Sequence, residues 1–324
     1  MKKNLLRYMG IVLLFILLAF MPKLVSEFKL NLIITMTIYS LFAISYNVLF
    51  GQAGLLSFGH AAYFGVGAYT ILLLFKYFKL SLILGILCGG VMGALFGILF
   101  GIFVVRLGGA YFALLTLAFN QLVYALAEKW RAVTGGEDGL KATRPNIHLP
   151  GVGEIDVFST VNWYYFVLMV VGLSIFACWY FTKTPLGRLN LCMRENEERA
   201  KFIGYDTYVS KIVIYTFSAF FAGIAGALAS SFQEFVSTTF INLDKAAEVL
   251  LMTFVGGGGT FIGPIVGACF LTYINDWLSS MTERWAIFQG AIFILMVLFV
   301  PHGLSGLFLS IKKRLRPSIN NLQE

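Results

Sequence analysis

The sequence predicts an all-α, polytopic membrane protein of about ten transmembrane segments, some of them discontinuous, joined to a short cytoplasmic helix. Three observations carry this. Apolar residues make up 59% of the 324 positions and charged ones 12%, and the mean hydropathy of +0.83 lies well outside the range of soluble domains. Stretches long enough to cross a bilayer, about 20 residues at 1.5 Å each, recur from residue 5 to residue 309. No intervening segment has room for a soluble domain, so residues 1–324 read as a single transmembrane domain.

The opening "MKKNLLRYMGIVLLFILLAFMPK" has the basic start and apolar middle of a signal peptide. It lacks a small-x-small cleavage site and reads as a retained first span at 5–22. Further spans are expected at 30–50, 55–75, 81–105, 110–127, 162–181, 211–231 and 286–309. Gly85, Gly89, Gly93, Gly97 and Gly101 put a small residue every fourth position on one stripe of the span at 81–105. Ala219, Gly223, Gly226 and Ser230 form a similar ridge in the span at 211–231. Lipid gives helices no hydrophobic reason to associate, so small residues promote close van der Waals packing, within the chain or between subunits.

Orientation follows from the basic loop at 182–210, where Lys183, Arg188, Arg194, Arg199 and Lys201, with Lys211 at its end, mark the cytoplasmic side. Counting back six spans puts Met1, Lys2 and Lys3 in the cytoplasm. The basic tail Lys312 to Arg316 belongs there too, which requires 246–278 to enter the membrane and return. "VGGGGTFIGP", residues 255 to 264, supplies the interruption. Gly256, Gly257, Gly258, Gly259 and Gly263 each cost a helix up to about 1 kcal/mol, and Pro264 about 3 kcal/mol. Non-helical backbone at membrane depth is tolerated where protein or water covers it. The break is thus a candidate pathway wall, or else a cytoplasmic turn between ordinary spans.

Several function classes are disfavoured. The net charge of +8 comes from short loops and the tail rather than an amphipathic basic face, which argues against nucleic acid. No G-x-x-x-x-G-K-[ST], H-E-x-x-H or G-x-S-x-G occurs, and His60, His148 and His302 are far apart, so neither catalysis in this chain nor a metal site is expected. Cys88, Cys178, Cys192 and Cys269 form no C-x-x-C pair. Charged residues in mid-span, expected of an ion-coupled carrier, are scarce: Glu248 is the best candidate, and it reads as interfacial beside Asp244 and Lys245.

"MRENEERAKFIG", residues 193 to 204, holds six charged side chains in twelve positions. Glu195 with Arg199, Glu197 with Lys201 and Arg194 with Glu198 are spaced i, i+4, which suits a short helix in water. Thr184-Pro185 provides an N-cap and first-turn proline, Gly204 a stop, and Asp206 a cap for the next span. Met193, Ala200 and Ile203 leave a small apolar strip on this helix. A soluble partner gripping it explains the interleaved acids and the punctuation; a solvated loop explains only the basic residues.

Residues 185–232, "PLGRLNLCMRENEERAKFIGYDTYVSKIVIYTFSAFFAGIAGALASSF", resemble the permeases of bacterial ATP-binding-cassette importers for branched-chain amino acids, the LivM type in particular. Gly187, Arg188, Arg194, Glu195, Asn196, Glu197, Ala200 and Gly204 occupy the positions of that family's loop, and Ala222 to Leu228 match its A-G-x-A-G-A-L. "GQAGLLSFGHAAYFGVGAY" from Gly51, "TGGEDGL" from Thr134, "GGGGTFIGPIVGA" from Gly256 and "PHGLSGL" from Pro301 extend the resemblance over the chain from residue 30 onward. "LNLCM" before Arg194 departs from the smaller residues common there.

The resemblance implies a permease domain in the bacterial inner membrane. By the same resemblance it would pair with a second homologous permease, two cytoplasmic ATPase subunits that use ATP and Mg, and an extracytoplasmic substrate-binding protein. Arg188, Arg194, Glu195, Glu197, Glu198, Ala200, Ile203 and Gly204 would form the coupling helix. Gln52, Ser57, Phe58, His60 and Tyr63, with Asn120 and Gln121 behind them, are candidates for the substrate pathway, helix caps and internal hydrogen bonds being the alternative for each. "TGGEDGL" falls on the outer loop, in reach of the binding protein. A neutral lining suits a zwitterionic amino acid, and equally urea and short amides, which a related branch of the family handles. An ion-coupled secondary transporter is the contrasting class.

Overall fold

The computed structural model describes residues 20–149, 153–282, 284–299 and 303–306. Eleven helices organise them: α1 Glu27–Asn47, α2 His60–Leu73, α3 Leu82–Val104, α4 Gly109–Lys129, α5 Thr160–Lys183, α6 Pro185–Glu195, α7 Glu197–Phe202, α8 Thr207–Gln233, α9 Leu243–Gly256, α10 Gly263–Met281 and α11 Trp285–Phe299. A single turn, Arg131–Thr134, follows α4. The chain is a multi-pass membrane protein. Among the described residues six segments are long and apolar enough to cross a bilayer: Glu27–Gln52, His60–Phe78, Leu82–Val104, Gly109–Lys129, Thr160–Lys183 and Thr207–Gln233.

These six match the expected spans to within a few residues, apart from 55–75. That span begins only at His60, because Gly54 adopts φ +70° and residues 54–59 run outside any helix. Most of the expected first span, and the basic residues at both termini, lie outside the described residues. The helical reading missed two short antiparallel strand pairs. Leu140–Lys141 pairs with Phe235–Val236, and Ile147–Leu149 with Gly153–Ile155.

The packing centre is a seam of small residues. α3 and α8 run antiparallel, setting Gly89 against Ala227, Gly93 against Gly223 and Ala219, Gly97 against Ala219, and Gly101 against Tyr215. A Cβ added at Gly93 would come within 2.6 Å of the Ala219 carbonyl oxygen, so the backbones themselves are in contact. α2 completes the seam: Gly67 lies on Gly223, Gly226 lies on the Phe64 carbonyl, and Ser230 Oγ donates to the Ala68 carbonyl at 3.1 Å. Gly85, the last of the stripe, meets Ile71 and Phe75. The stripe therefore serves packing within the chain. On the far side of α3, Leu84, Leu87, Val91, Leu95 and Leu99 are exposed, as a lipid-facing surface requires.

The seam also fixes which ends lie together. α3 and α8 being antiparallel, α5 finishes at Lys183, next to α6, while its start at Thr160 hydrogen-bonds Glu27 at the start of α1. The charged hairpin α6–α7 thus occupies one end, and the starts of α1 and α5 the other.

The expected interruption in 246–278 is present. α9 ends at Gly256, Gly257 takes φ +101°, and α10 restarts at Gly263. Gly256 faces Gly263 and Gly267 faces Met252, so the two helices form an antiparallel hairpin. With 14 residues, α9 spans about 21 Å, short of the roughly 30 Å hydrocarbon core. It starts in mid-bundle, where Asn120 Nδ2 donates 2.8 Å to the Ile241 carbonyl halfway along α4.

Candidate functional site

The charged segment folds as two helices, not the single one expected. The Thr184 side chain caps α6 by accepting from Gly187 N at 3.2 Å, with Pro185 in its first turn. At Asn196 the backbone becomes extended (φ −158°, ψ 102°), and its side chain caps α7 by accepting from Arg199 N at 2.9 Å. Gly204 at φ +94° ends the segment, and Asp206 caps α8 by accepting from Tyr208 N and Val209 N. The Asn196 cap was legible in the sequence: an asparagine followed by two glutamates is an N-cap with acids placed for the helix dipole.

That break decides which charge pairs form. Glu197 meets Lys201 at 3.1 Å, as the spacing predicts. Glu195 with Arg199 and Arg194 with Glu198 straddle Asn196, and neither is an ion pair among the described residues. Arg194 instead reaches across the molecule and donates 2.6 Å to the Gly51 carbonyl. Glu197 accepts from Lys211 Nζ at 2.6 Å and from Thr207 Oγ1 at 3.2 Å, tying α7 to the first turns of α8. Burial pushes the Glu197 carboxyl up, but the hydrogen bonds and charges of Lys211 and Lys201 outweigh it and leave it below the usual carboxylate range.

The expected apolar strip divides in the same way. Met193 and Ala200 turn inward, each 5% exposed, whereas Ile203 is 69% exposed beside Phe202 at 89%. Between α6 and α7 lies a cleft of about 550 Å³, lined among others by Arg188, Cys192, Glu195, Arg199 and Ile203. Glu198 is exposed.

Motifs distant in sequence converge behind this hairpin. The C-terminal end of α1 loosens at Val48–Gln52 to wider, i→i+5 hydrogen bonding. There Gly51, held by Arg194, packs on Gly258 of the second glycine segment; a Cβ on Gly51 would come within 2.6 Å of the Gly258 carbonyl oxygen. Asn47 Nδ2 donates 3.2 Å to the Thr260 carbonyl. Thr260 Oγ1 in turn contacts Ser305 Oγ at 2.9 Å, and Gly303 packs on Gly257. Gly259 has open space around it.

The pathway candidates are less unified. Gln52, at the end of that wider turn, and Phe58, in the loop that follows, are half-buried, and the Phe58 amide donates to Thr116 Oγ1 at 3.0 Å. Ser57 is enclosed and accepts from Gly59 N. His60 is also enclosed, with Nε2 2.9 Å from Ser45 Oγ and its ring against Phe42, Tyr46 and Tyr63. Tyr63 donates 2.6 Å to the Tyr215 hydroxyl, and Asn120 is buried, whereas its neighbour Gln121 is exposed. "TGGEDGL" forms a turn at the opposite end, with Glu137 and Asp138 exposed and Gly135, Gly136 and Gly139 all at positive φ.

Residues 28–299 match the sequence model of a family described as branched-chain amino acid transport system / permease component. The chain is 30% identical over 314 residues to the high-affinity branched-chain amino acid transport system permease protein LivM of Escherichia coli K12, covering 91% of this chain and 74% of that protein. It is 29% identical over 303 residues to LivM of Salmonella typhimurium LT2, covering 87% and 71%. A shorter similarity, 29% over 140 residues, links it to the ribose import permease protein RbsC of E. coli K12, covering 40% of this chain and 43% of that protein. No solved structure matches the chain.

Proposed function

Since the chain belongs to the branched-chain amino acid transport system permease family, we propose that it is the membrane-spanning subunit of an ATP-driven importer that moves branched-chain amino acids into the bacterial cytoplasm. It works as one permease domain of about ten segments with both termini cytoplasmic. ATP and Mg act in two separate ATPase subunits, a second permease completes the pore, and an extracytoplasmic binding protein delivers the solute, within reach of Glu137 and Asp138.

The observation that carries this reading is the double attachment of the charged hairpin. Arg194 holds Gly51, at the end of α1, and Glu197 holds Lys211, at the start of α8. A push on the hairpin from a docked ATPase therefore reaches two membrane helices at once and passes on as a rigid-body shift. The α6–α7 cleft and the exposed Phe202 and Ile203 give the ATPase a surface to grip. On this reading the half-buried Gln52 and Phe58 face the pathway, and the enclosed Ser57, His60, Tyr63 and Asn120 hold the loop in place. The amino-acid cargo is preferred over a sugar because the similarity to the LivM proteins runs through most of the chain and that to RbsC through less than half.

Glu195→Lys tests the docking surface, because Glu195 lines the cleft and forms no ion pair within the described residues. The expected result is loss of co-purifying ATPase and of leucine uptake, with the permease still monodisperse in detergent. Uptake at the wild-type rate rejects the proposal. An ion-coupled carrier makes the opposite prediction for the isolated chain: accumulation in proteoliposomes under a proton or sodium gradient, where the importer reading expects none.

A further inference from the structure

A groove of about 540 Å³ opens between α1 and α10 at the end opposite the charged hairpin. One wall is a face of α1 carrying Asn31, Thr35 and Tyr39, four residues apart. The other is a face of α10 carrying Thr272, Asn275 and Asp276. α9 provides the floor with Lys245 and Glu248. These two were expected near a membrane interface; the structure instead sets them level with Tyr39, halfway along the Glu27–Gln52 span.

The floor is charged and enclosed. Lys245 Nζ donates 2.6 Å to Glu248 Oε2 and 2.9 Å to the Tyr39 hydroxyl, and lies 4.7 Å from the centre of the Tyr39 ring. Both charged side chains are less than one-fifth exposed. Ionisable groups at such depth are expensive and mark solute or ion pathways. The groove is also incompletely satisfied. An ammonium group has three protons, and two on Lys245 are engaged. Thr272 Oγ1 and Asn275 Oδ1 make no hydrogen bond, and Asp276 has no ion-pair partner among the described residues. An ammonium proton and a carboxylate that line the same groove without partners among the described residues, with Phe28 and Leu32 alongside, complement a small molecule that carries both charges and an apolar body.

We propose that this groove is the entry-side contact site for the transported solute, taking an α-amino acid as a zwitterion: its carboxylate on Lys245, its ammonium group on Asp276. The assignment rests on the importer reading and names the part of this chain that meets the cargo.

The test is leucine uptake by the complete importer in proteoliposomes, supplied with its binding protein. Three forms of this chain are compared with wild type: Asp276→Asn, Lys245→Gln, and the exchanged pair Lys245→Glu with Glu248→Lys. Asp276→Asn and Lys245→Gln are each expected to lower the maximal uptake rate at least ten-fold, with all subunits still co-purifying. The exchange keeps an ion pair but inverts it, so uptake should stay as low. Recovery to within two-fold of wild type in the exchanged pair makes Lys245 and Glu248 a structural pair and overturns the proposal. So does wild-type uptake by Asp276→Asn, which breaks no ion pair among the described residues and decides the matter even where Lys245 variants fail to assemble. Absence of leucine uptake by the wild-type importer condemns the importer reading instead.

Discussion

The seam of α2, α3 and α8 and the charged hairpin solve the same problem in opposite ways. Across the seam, backbone rests on backbone through Gly67, Gly89, Gly93, Gly223 and Gly226, and the contacts leave no room for an alternative register. At the hairpin, the neighbours are joined through long side chains: Arg194 to the Gly51 carbonyl, Lys211 to Glu197. In lipid, where apolar surface drives no association, close van der Waals fit is what locks helices. Long side chains have several rotatable bonds and can follow a change of angle that a backbone contact would resist. Under the importer proposal the difference suits two roles: α8 would carry force as a stiff member, and the hairpin would be where force enters and the angle changes.

The sharpest way to break this contrast is Gly67→Val. A side chain there is driven into the Gly223 carbonyl of α8, and neither backbone can yield without opening the seam at Gly89 as well. Overpacking costs 1–3 kcal/mol in ordinary cores and more where backbone is the obstacle, so a loss of about 3 kcal/mol or more is expected. Size-exclusion profiles in detergent should show aggregated or degraded protein. A monodisperse variant with wild-type uptake would mean the seam is looser than its contacts imply.

Arg194→Ala acts on the hairpin and should leave folding intact. It removes the link to Gly51 while keeping the α7–α8 link through Glu197. The expected outcome is an assembled importer that still hydrolyses ATP but takes up leucine about ten-fold more slowly, because α1 no longer follows the hairpin. Equal loss of ATPase binding would place Arg194 at the docking surface rather than behind it.

The two regions also differ in how openly the sequence declares them. The seam was visible as glycines every fourth residue, because the requirement for a small side chain at each turn is strictly local. The caps at Thr184, Gly204 and Asp206 were visible for the same reason. The Arg194–Gly51 bond was not, since it joins residues 143 apart through one carbonyl, and any carbonyl would serve. The groove was hidden too: Tyr39, Lys245 and Asp276 sit on three helices far apart in sequence, and no local spacing shows that they meet. The missed strands are two or three residues long, too short for any alternation to register.

The mildest perturbation is proton concentration, which in the acid range reaches the hairpin and spares the seam, since the seam contacts involve no carboxylate or histidine side chain. Glu197 is the group to follow. Its folded carboxyl titrates below the ordinary value of 4.5 because Lys211 and Lys201 favour the anion. The stabilisation it gives is therefore fully present above about pH 4.5 and disappears as pH falls through the lower folded value. Acidification through that window should free α7 from α8, raising protease cleavage near Lys201 in the purified protein while α3–α8 contacts, followed by cross-linking of paired cysteines, stay constant. Glu197→Gln should show the loosened hairpin already at neutral pH and lose the pH dependence. Persistence of the acid step in that variant would assign it to another carboxylate and cut the proposed tie between α7 and α8.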